Sequence, residues 1–192
     1  FLQAIIIVPI LLKYWGNDYY GIWISLFAGF SLLQTLDISH QTYIGNLLNL
    51  DYHKDKIKFA ENLGSSLLIA VFLSTIELLI TTILIISGYL NKFLGISNAI
   101  VNYSTIAYSL LSLILMWIIT GSIGGILVKM LIPAGYMVQS IIWGIVFKLA
   151  QFLSLLLVAL NGGKILIASI VYSIVQTILA IFFLVYIKNK MP

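Results

Sequence analysis

Residues 63–86 read LGSSLLIAVFLSTIELLITTILII, an unbroken apolar run that carries one formal charge, Glu77. At 1.5 Å per residue such a run forms a helix about 36 Å long, enough to cross hydrocarbon ~30 Å thick. Its polar residues are not scattered. At 100° per residue, Ser66, Ala70, Ser74, Glu77 and Thr81 fall within an arc of about 80°. This is the pattern of a helix that turns one seam towards protein or water and the rest towards lipid.

The rest of the chain repeats this run. Hydrophobic residues make up 61% of the 192 positions and charged residues 8%, against roughly 45–50% and 25% in a soluble domain. A water-soluble fold is excluded. The continuous runs also exclude an outer-membrane barrel, which would alternate apolar and polar residues over segments of ~10. The predicted class is an all-α integral membrane protein, a bundle of six transmembrane helices over about 1–12, 20–36, 63–86, 104–129, 136–160 and 165–187. The first is truncated, and because the chain opens on Phe1 inside an apolar stretch it is read as a piece of a longer protein.

Between the spans, Trp15, Tyr19, Tyr20 and Trp23 cluster around a turn over 13–19, where amphipathic rings suit the headgroup boundary. The polar stretch 37–62 holds Lys54, Lys56 and Lys58 among Asp51, Asp55 and Glu61. It is expected as a cytoplasmic loop, folded as a surface helix or helical extension. Pro133 and Gly135 end the fourth span, and Asn161-Gly162-Gly163-Lys164 is short enough only for a hairpin.

The net charge of +4 comes from lysine alone, and most lysines flank apolar blocks. Alternating sides puts Lys54, Lys56, Lys58, Lys129, Lys188 and Lys190 on one face and Lys13, Lys92 and Lys164 on the other. The excess marks the first face as cytoplasmic, in a multi-pass protein of the cell inner membrane. The lysine pattern is one of topology and not of nucleic-acid binding. The absence of cysteine excludes disulfides.

Three further spans carry polar seams. Ser140, Gly144, Lys148, Gln151 and Ser154 share an arc of about 120° on the fifth, with Lys148 near its middle. Thr105, Ser109, Ser112, Thr120 and Gly124 mark the fourth, and Ser169, Ser173, Gln176 and Ala180 the sixth. Small and hydroxylated residues also serve plain helix packing, as Gly121-x-x-x-Gly125 would. Glu77 and Lys148 ask for more, since a charge at the bilayer centre costs ~2.5–3.5 kcal/mol on insertion scales. Either they pair with each other, or they line a polar cavity. In the second case Lys148 meets an anionic substrate, and Glu77 holds it or exchanges a proton. Candidate cavity residues are therefore Lys148, Glu77, Gln151, Ser140, Ser74 and Gln176.

Enzymatic motifs are missing. His40 and His53 form no HExxH, there is no GxSxG, and Asn161-Gly162-Gly163-Lys164-Ile165 lacks the first glycine and final hydroxyl of a phosphate loop. No metal site, cofactor or enzyme activity is expected. His40 beside Asp37 reads as a solvated pair at the membrane interface.

Pro9-Ile10-Leu11-Leu12-Lys13-Tyr14-Trp15-Gly16-Asn17-Asp18-Tyr19-Tyr20-Gly21-Ile22-Trp23, followed by Leu36-Asp37-Ile38-Ser39, resembles the first two helices of the Wzx-type O-antigen flippases. These are polysaccharide transporters of the MATE-like flippase superfamily, and His40 departs from the pattern. The resemblance implies a transporter built of two six-helix lobes, of which this chain is the N-terminal one. It would move an undecaprenyl-pyrophosphate-linked oligosaccharide across the cytoplasmic membrane. Its partners would be the lipid bilayer, that lipid-linked substrate, and the missing C-terminal lobe or a second chain. It further implies that Lys148 meets the pyrophosphate and that Glu77 or Asp37 carries a coupling ion. A membrane-embedded polysaccharide polymerase or glycosyltransferase, and a structural or assembly subunit, are the competing classes.

Overall fold

The computed structural model describes residues 2–96 and 100–190. Among them every regular element is helical: α1 (Leu2–Lys54), α2 (Lys56–Ile86), the short α3 (Leu90–Leu94), α4 (Tyr103–Trp117), a π-helical turn (Ile118–Ile123), α5 (Gly124–Leu131), α6 (Met137–Leu160) and α7 (Ile165–Lys190). Among the described residues five helices are long and apolar enough to cross a membrane: α1, α2, the continuous rod from Tyr103 to Leu131, α6 and α7. The chain is thus a multi-pass membrane protein.

The first two predicted spans, about 1–12 and 20–36, both lie within α1. Gly16, at φ 71° and ψ 175°, breaks α1 into arms over 2–15 and 17–54. That backbone region is open essentially to glycine alone. The expected turn over 13–19 is therefore one residue wide, and the short arm 2–15 leads directly into a full-length helix.

The second arm does not stop near residue 36. It continues to Lys54, so the polar stretch 37–62 takes the helical form expected of it, divided at Asp55 between the end of α1 and the start of α2. A helix that has left the hydrocarbon no longer needs apolar residues, and Lys54, Lys56, Lys58 and Glu61 are exposed there. The chain reverses at Asp55, whose carboxylate accepts from the Ile57 and Lys58 backbone N–H groups at 3.0 and 3.1 Å and so caps α2. Asn62 Nδ2 donates to Asp51 Oδ2 at 2.6 Å across the same hairpin.

Specific contacts fix the opposite end. Trp15 Nε1 donates to the Gly163 carbonyl at 2.8 Å, Lys164 Nζ donates to the Tyr19 hydroxyl at 3.1 Å, and the Tyr103 hydroxyl donates to the Ile85 carbonyl at 2.6 Å. The Gly16 bend, the α2–α4 connection and the α6–α7 hairpin therefore share one end. Trp15 and Trp23 do not form an interfacial belt. Both are buried, with ring centroids 5.6 Å apart in an edge-to-face pair. Trp15 satisfies its one polar group on Gly163, which lets the indole sit inside.

In α2 burial is inside-out relative to a soluble protein. The buried residues of α2 are Ser66, Ala70, Ser74, Glu77 and Thr81, while Leu68, Phe72, Ile83 and Ile86 are exposed. The α7 seam of Ser169, Ser173, Gln176 and Ala180 is buried as well. Most seam hydroxyls bond their own helix, as Ser74 does to the Ala70 carbonyl and Thr81 to the Glu77 carbonyl, both at 2.8 Å. Others stitch neighbours, as Ser173 does to the Ser112 carbonyl at 3.0 Å. In lipid, where no water competes, such pairing satisfies groups that would otherwise cost several kcal/mol each.

Candidate functional site

Two polar features lie inside the bundle. The first is a cavity of about 330 Å³ walled by α1, α4, the π-helical turn, α5, α6 and α7. Its polar walls are Ser31, Gln34, Thr120, Gln151 and Gln176, and its apolar walls include Phe27, Phe30, Trp117 and Tyr172. Ser31 is exposed, so the cavity reaches the surface there. The rings brace one another: Phe27 meets Tyr172 edge-on at 5.5 Å and Phe30 meets Trp117 at 6.2 Å. Gln176 Nε2 donates to the Phe147 carbonyl at 3.2 Å, which fixes its amide at the wall. Trp117 Nε1 is buried and has no acceptor among the described residues.

The second feature is a pair of carboxylates between α1, α2 and the π-helical turn. Asp37 and Glu77 are both 0% exposed. Asp37 Oδ2 accepts from Ser122 Oγ and from Gln41 Nε2, the latter at 3.0 Å. Gln41 Nε2 also donates to the Gly121 carbonyl at 3.0 Å. Asp37 Oδ1 and both Glu77 carboxylate oxygens have no hydrogen-bond partner among the described residues. His40 Nε2 lies 3.3 Å from the Ser66 carbonyl. That register sets Asp37 opposite Ile69, so roughly 12 Å of helix axis separates its backbone from that of Glu77. Side chains tilt towards the N-terminus of their own helix, and in this antiparallel pair the tilt brings the two carboxylates towards each other.

Glycines 121 and 125 make room for one side chain in each feature. A Cβ on Gly125 would stand 2.3 Å from Gln41 Oε1, and one on Gly121 would stand 2.1 Å from the Trp117 ring. The spacing that suggested a helix-packing motif instead admits one amide and one indole. The π-helical turn holds both the Gly121 carbonyl and the Ser122 hydroxyl towards α1, in keeping with the frequent use of such turns at functional sites.

No protein-family model, curated protein or solved structure matches the chain. Function must therefore be argued from the site.

The predicted residues separate into three groups. Gln151 and Gln176 line the cavity together. Glu77 and Asp37 are both fully buried between α1, α2 and the π-helical turn, and Asp37 is not the solvated partner of His40. Ser74, Ser140 and Lys148 join neither feature. Ser74 is buried against its own helix, Ser140 is half-buried near the start of α6, and Lys148 is exposed. Glu77 and Lys148 accordingly form no salt bridge with each other. The packed face of α6 runs through Trp143, Phe147, Gln151 and Ser154, and Lys148 sits about 60° around the helix from Gln151. Sequence reasoning missed Gln34, Ser31 and Ser122. Gln34 was visible as a lone amide inside an apolar span, whereas only the fold brings Ser122 to Asp37.

Proposed function

We propose that this chain is one lobe of an inner-membrane exporter that moves a lipid-linked oligosaccharide across the bilayer, the resemblance at residues 9–39 and the geometry pointing the same way. The observation that carries this reading is the cavity lined by Ser31, Gln34, Thr120, Gln151 and Gln176 among aromatic rings, inside a bundle whose exterior is apolar. Amides and hydroxyls both donate and accept hydrogen bonds, as sugar hydroxyls require, and ring faces suit the apolar faces of sugars. In hydrocarbon such groups are retained where they meet protein, water or a polar ligand.

Lys148 extends this site. It is exposed halfway along α6, about 60° around the helix from the cavity-lining Gln151. A second lobe facing this side of α6 would close a shared cavity in which Lys148 meets the pyrophosphate of the carrier lipid. Rocking of the lobes against each other would then alternate access, with Asp37 and Glu77 coupling the cycle to an ion.

The test is complementation of export in cells lacking their own exporter, using the complete gene. Gln34→Leu, Gln151→Leu and Lys148→Met each abolish or sharply reduce surface polysaccharide at normal membrane levels of the protein. Unchanged export in all three variants would favour an assembly subunit.

A further inference from the structure

We infer that the end of the bundle holding the Gly16 bend and the α6–α7 hairpin binds the phosphate headgroup of an anionic phospholipid. The site goes beyond the exporter reading and does not rest on it. A second cavity lies there, of about 490 Å³, sharing no wall residue with the amide-lined one. Its polar wall is made by Tyr19, Asn102, Thr105 and Lys164. Lys164 is positioned by a contact spanning 145 residues of sequence: Nζ donates to the Tyr19 hydroxyl at 3.1 Å and stands 4.6 Å from the centre of that ring. An ammonium has three N–H bonds, so two remain for a ligand. The Tyr19 oxygen accepts from Lys164, which leaves its own O–H to donate beside them. Asn102 caps no backbone group of α4 with its side chain, so its amide is available to the cavity.

The charge balance selects an anion. Among the described residues on this wall Lys164 alone is charged, and no carboxylate answers it. Asp18, next to Tyr19 in the chain, is exposed and lies off the wall. An ammonium and a phenol O–H side by side match the several acceptor oxygens of a phosphate ester. The first turns of α4 and α7 line the same space, and their N–H groups add partial positive charge to that of the lysine. Depth and the remaining walls favour a lipid over a free anion. The 24 and 26 residues of α6 and α7 make rods of about 36–39 Å, against hydrocarbon ~30 Å thick, so their hairpin reaches headgroup level. Ile100 and Ile167 on the cavity wall are exposed, which opens it onto the apolar exterior. A phospholipid would set its phosphate on Lys164 and lay its glycerol and upper chains along these side chains.

The experiment is native mass spectrometry of the complete protein, purified in detergent, stripped of lipid and titrated with phosphatidylglycerol, phosphatidylcholine or inorganic phosphate. The expected result is one saturable phosphatidylglycerol adduct, at least about tenfold tighter than that of phosphatidylcholine, whose own cation competes for its phosphate. Lys164→Gln should weaken this binding at least about tenfold and Lys164→Arg should restore it. Tyr19→Phe, which keeps the ring but removes the hydroxyl, should weaken it less. Lys92→Gln should leave it unchanged, because Lys92 sits over the Tyr89 ring and off the cavity wall. Equal affinity for the two lipids, or undiminished phosphatidylglycerol binding in both Lys164→Gln and Tyr19→Phe, overturns the site. Displacement of the lipid by inorganic phosphate would make it a site for the free anion and overturn the lipid assignment. No transport is measured, so this site and the exporter reading can fail separately.

Discussion

Ser122 donates its hydroxyl to the carboxylate of Asp37, joining the π-helical turn to α1 across 85 residues of sequence. Both side chains are fully buried. A hydrogen bond to a charged group is worth about 1.5–3 kcal/mol, and more is lost when a buried acceptor is left without its donor. Ser122→Ala should therefore lower stability by about 2 kcal/mol. A double-mutant cycle with Asp37→Asn, followed by thermal or denaturant unfolding, should return a coupling of at least about 1 kcal/mol. Simple additivity would separate the two residues energetically.

Gly125→Ala makes a second case. The added methyl would stand 2.3 Å from Gln41 Oε1 and 2.8 Å from its Cδ. The amide must swing away and give up its bonds to Asp37 and Gly121. The expected cost is about 1–3 kcal/mol. In a Gln41→Ala background the same change should cost much less, because the obstacle is gone. Equal costs in both backgrounds, measured by melting temperature, would contradict the packing described.

Two glycines in α1 should respond with opposite signs. Gly16 occupies φ 71°, ψ 175° at the bend, so Gly16→Ala should destabilise by about 1–3 kcal/mol. It should also weaken the Trp15–Gly163 bond that fastens this end. Gly21 lies in helical backbone with nothing within 4 Å of a built Cβ. There alanine should be neutral or stabilise by about 0.5–1 kcal/mol, since glycine is the poorer helix former. The pair of melting temperatures checks the placement of the break.

Much of this architecture is legible in sequence because a bilayer imposes one rule on every span. Each α2 residue placed by angle in the polar seam is buried, Ser66, Ala70, Ser74, Glu77 and Thr81 alike, since a helix in lipid has only one side on which to keep them. The rule weakens where its premises do. Beyond Asp37 the helix runs on through charged residues, and hydropathy registers only that the hydrocarbon has ended. On α6 the polar arc of about 120° was too broad to fix an azimuth. The aromatic residues Trp143 and Phe147, packed with Phe183, set the buried face and leave Lys148 at its edge.

Other features need the third dimension. Trp15 and Trp23 have the composition of an interfacial belt, and only the carbonyl of Gly163 explains why the first sits inside. Asp37 next to His40 in sequence suggested a pair, yet the two point to different helices. Local spacing reports which face of a helix is polar. The partner that face meets depends on a crossing made many residues away.

Gln34 and Gln151 stand on different helices and share one cavity with Gln176. If that cavity receives sugar, leucine at either position should reduce transport at least tenfold with little change in unfolding temperature. A site that hydrogen-bonds its substrate loses about 1.4 kcal/mol or more when a donor–acceptor group is removed. A parallel loss of stability would instead assign the amides a packing role.

The most direct measurement is flipping itself. The complete protein, reconstituted in proteoliposomes with a fluorescent undecaprenyl-pyrophosphate-linked oligosaccharide, is assayed for the fraction of label that becomes accessible to an external enzyme over time. The exporter account predicts protein-dependent translocation by the wild type and at least a tenfold slower rate for Gln151→Leu and Lys148→Met. Translocation no faster than in empty liposomes, or equal rates in the wild type and both variants, would contradict it.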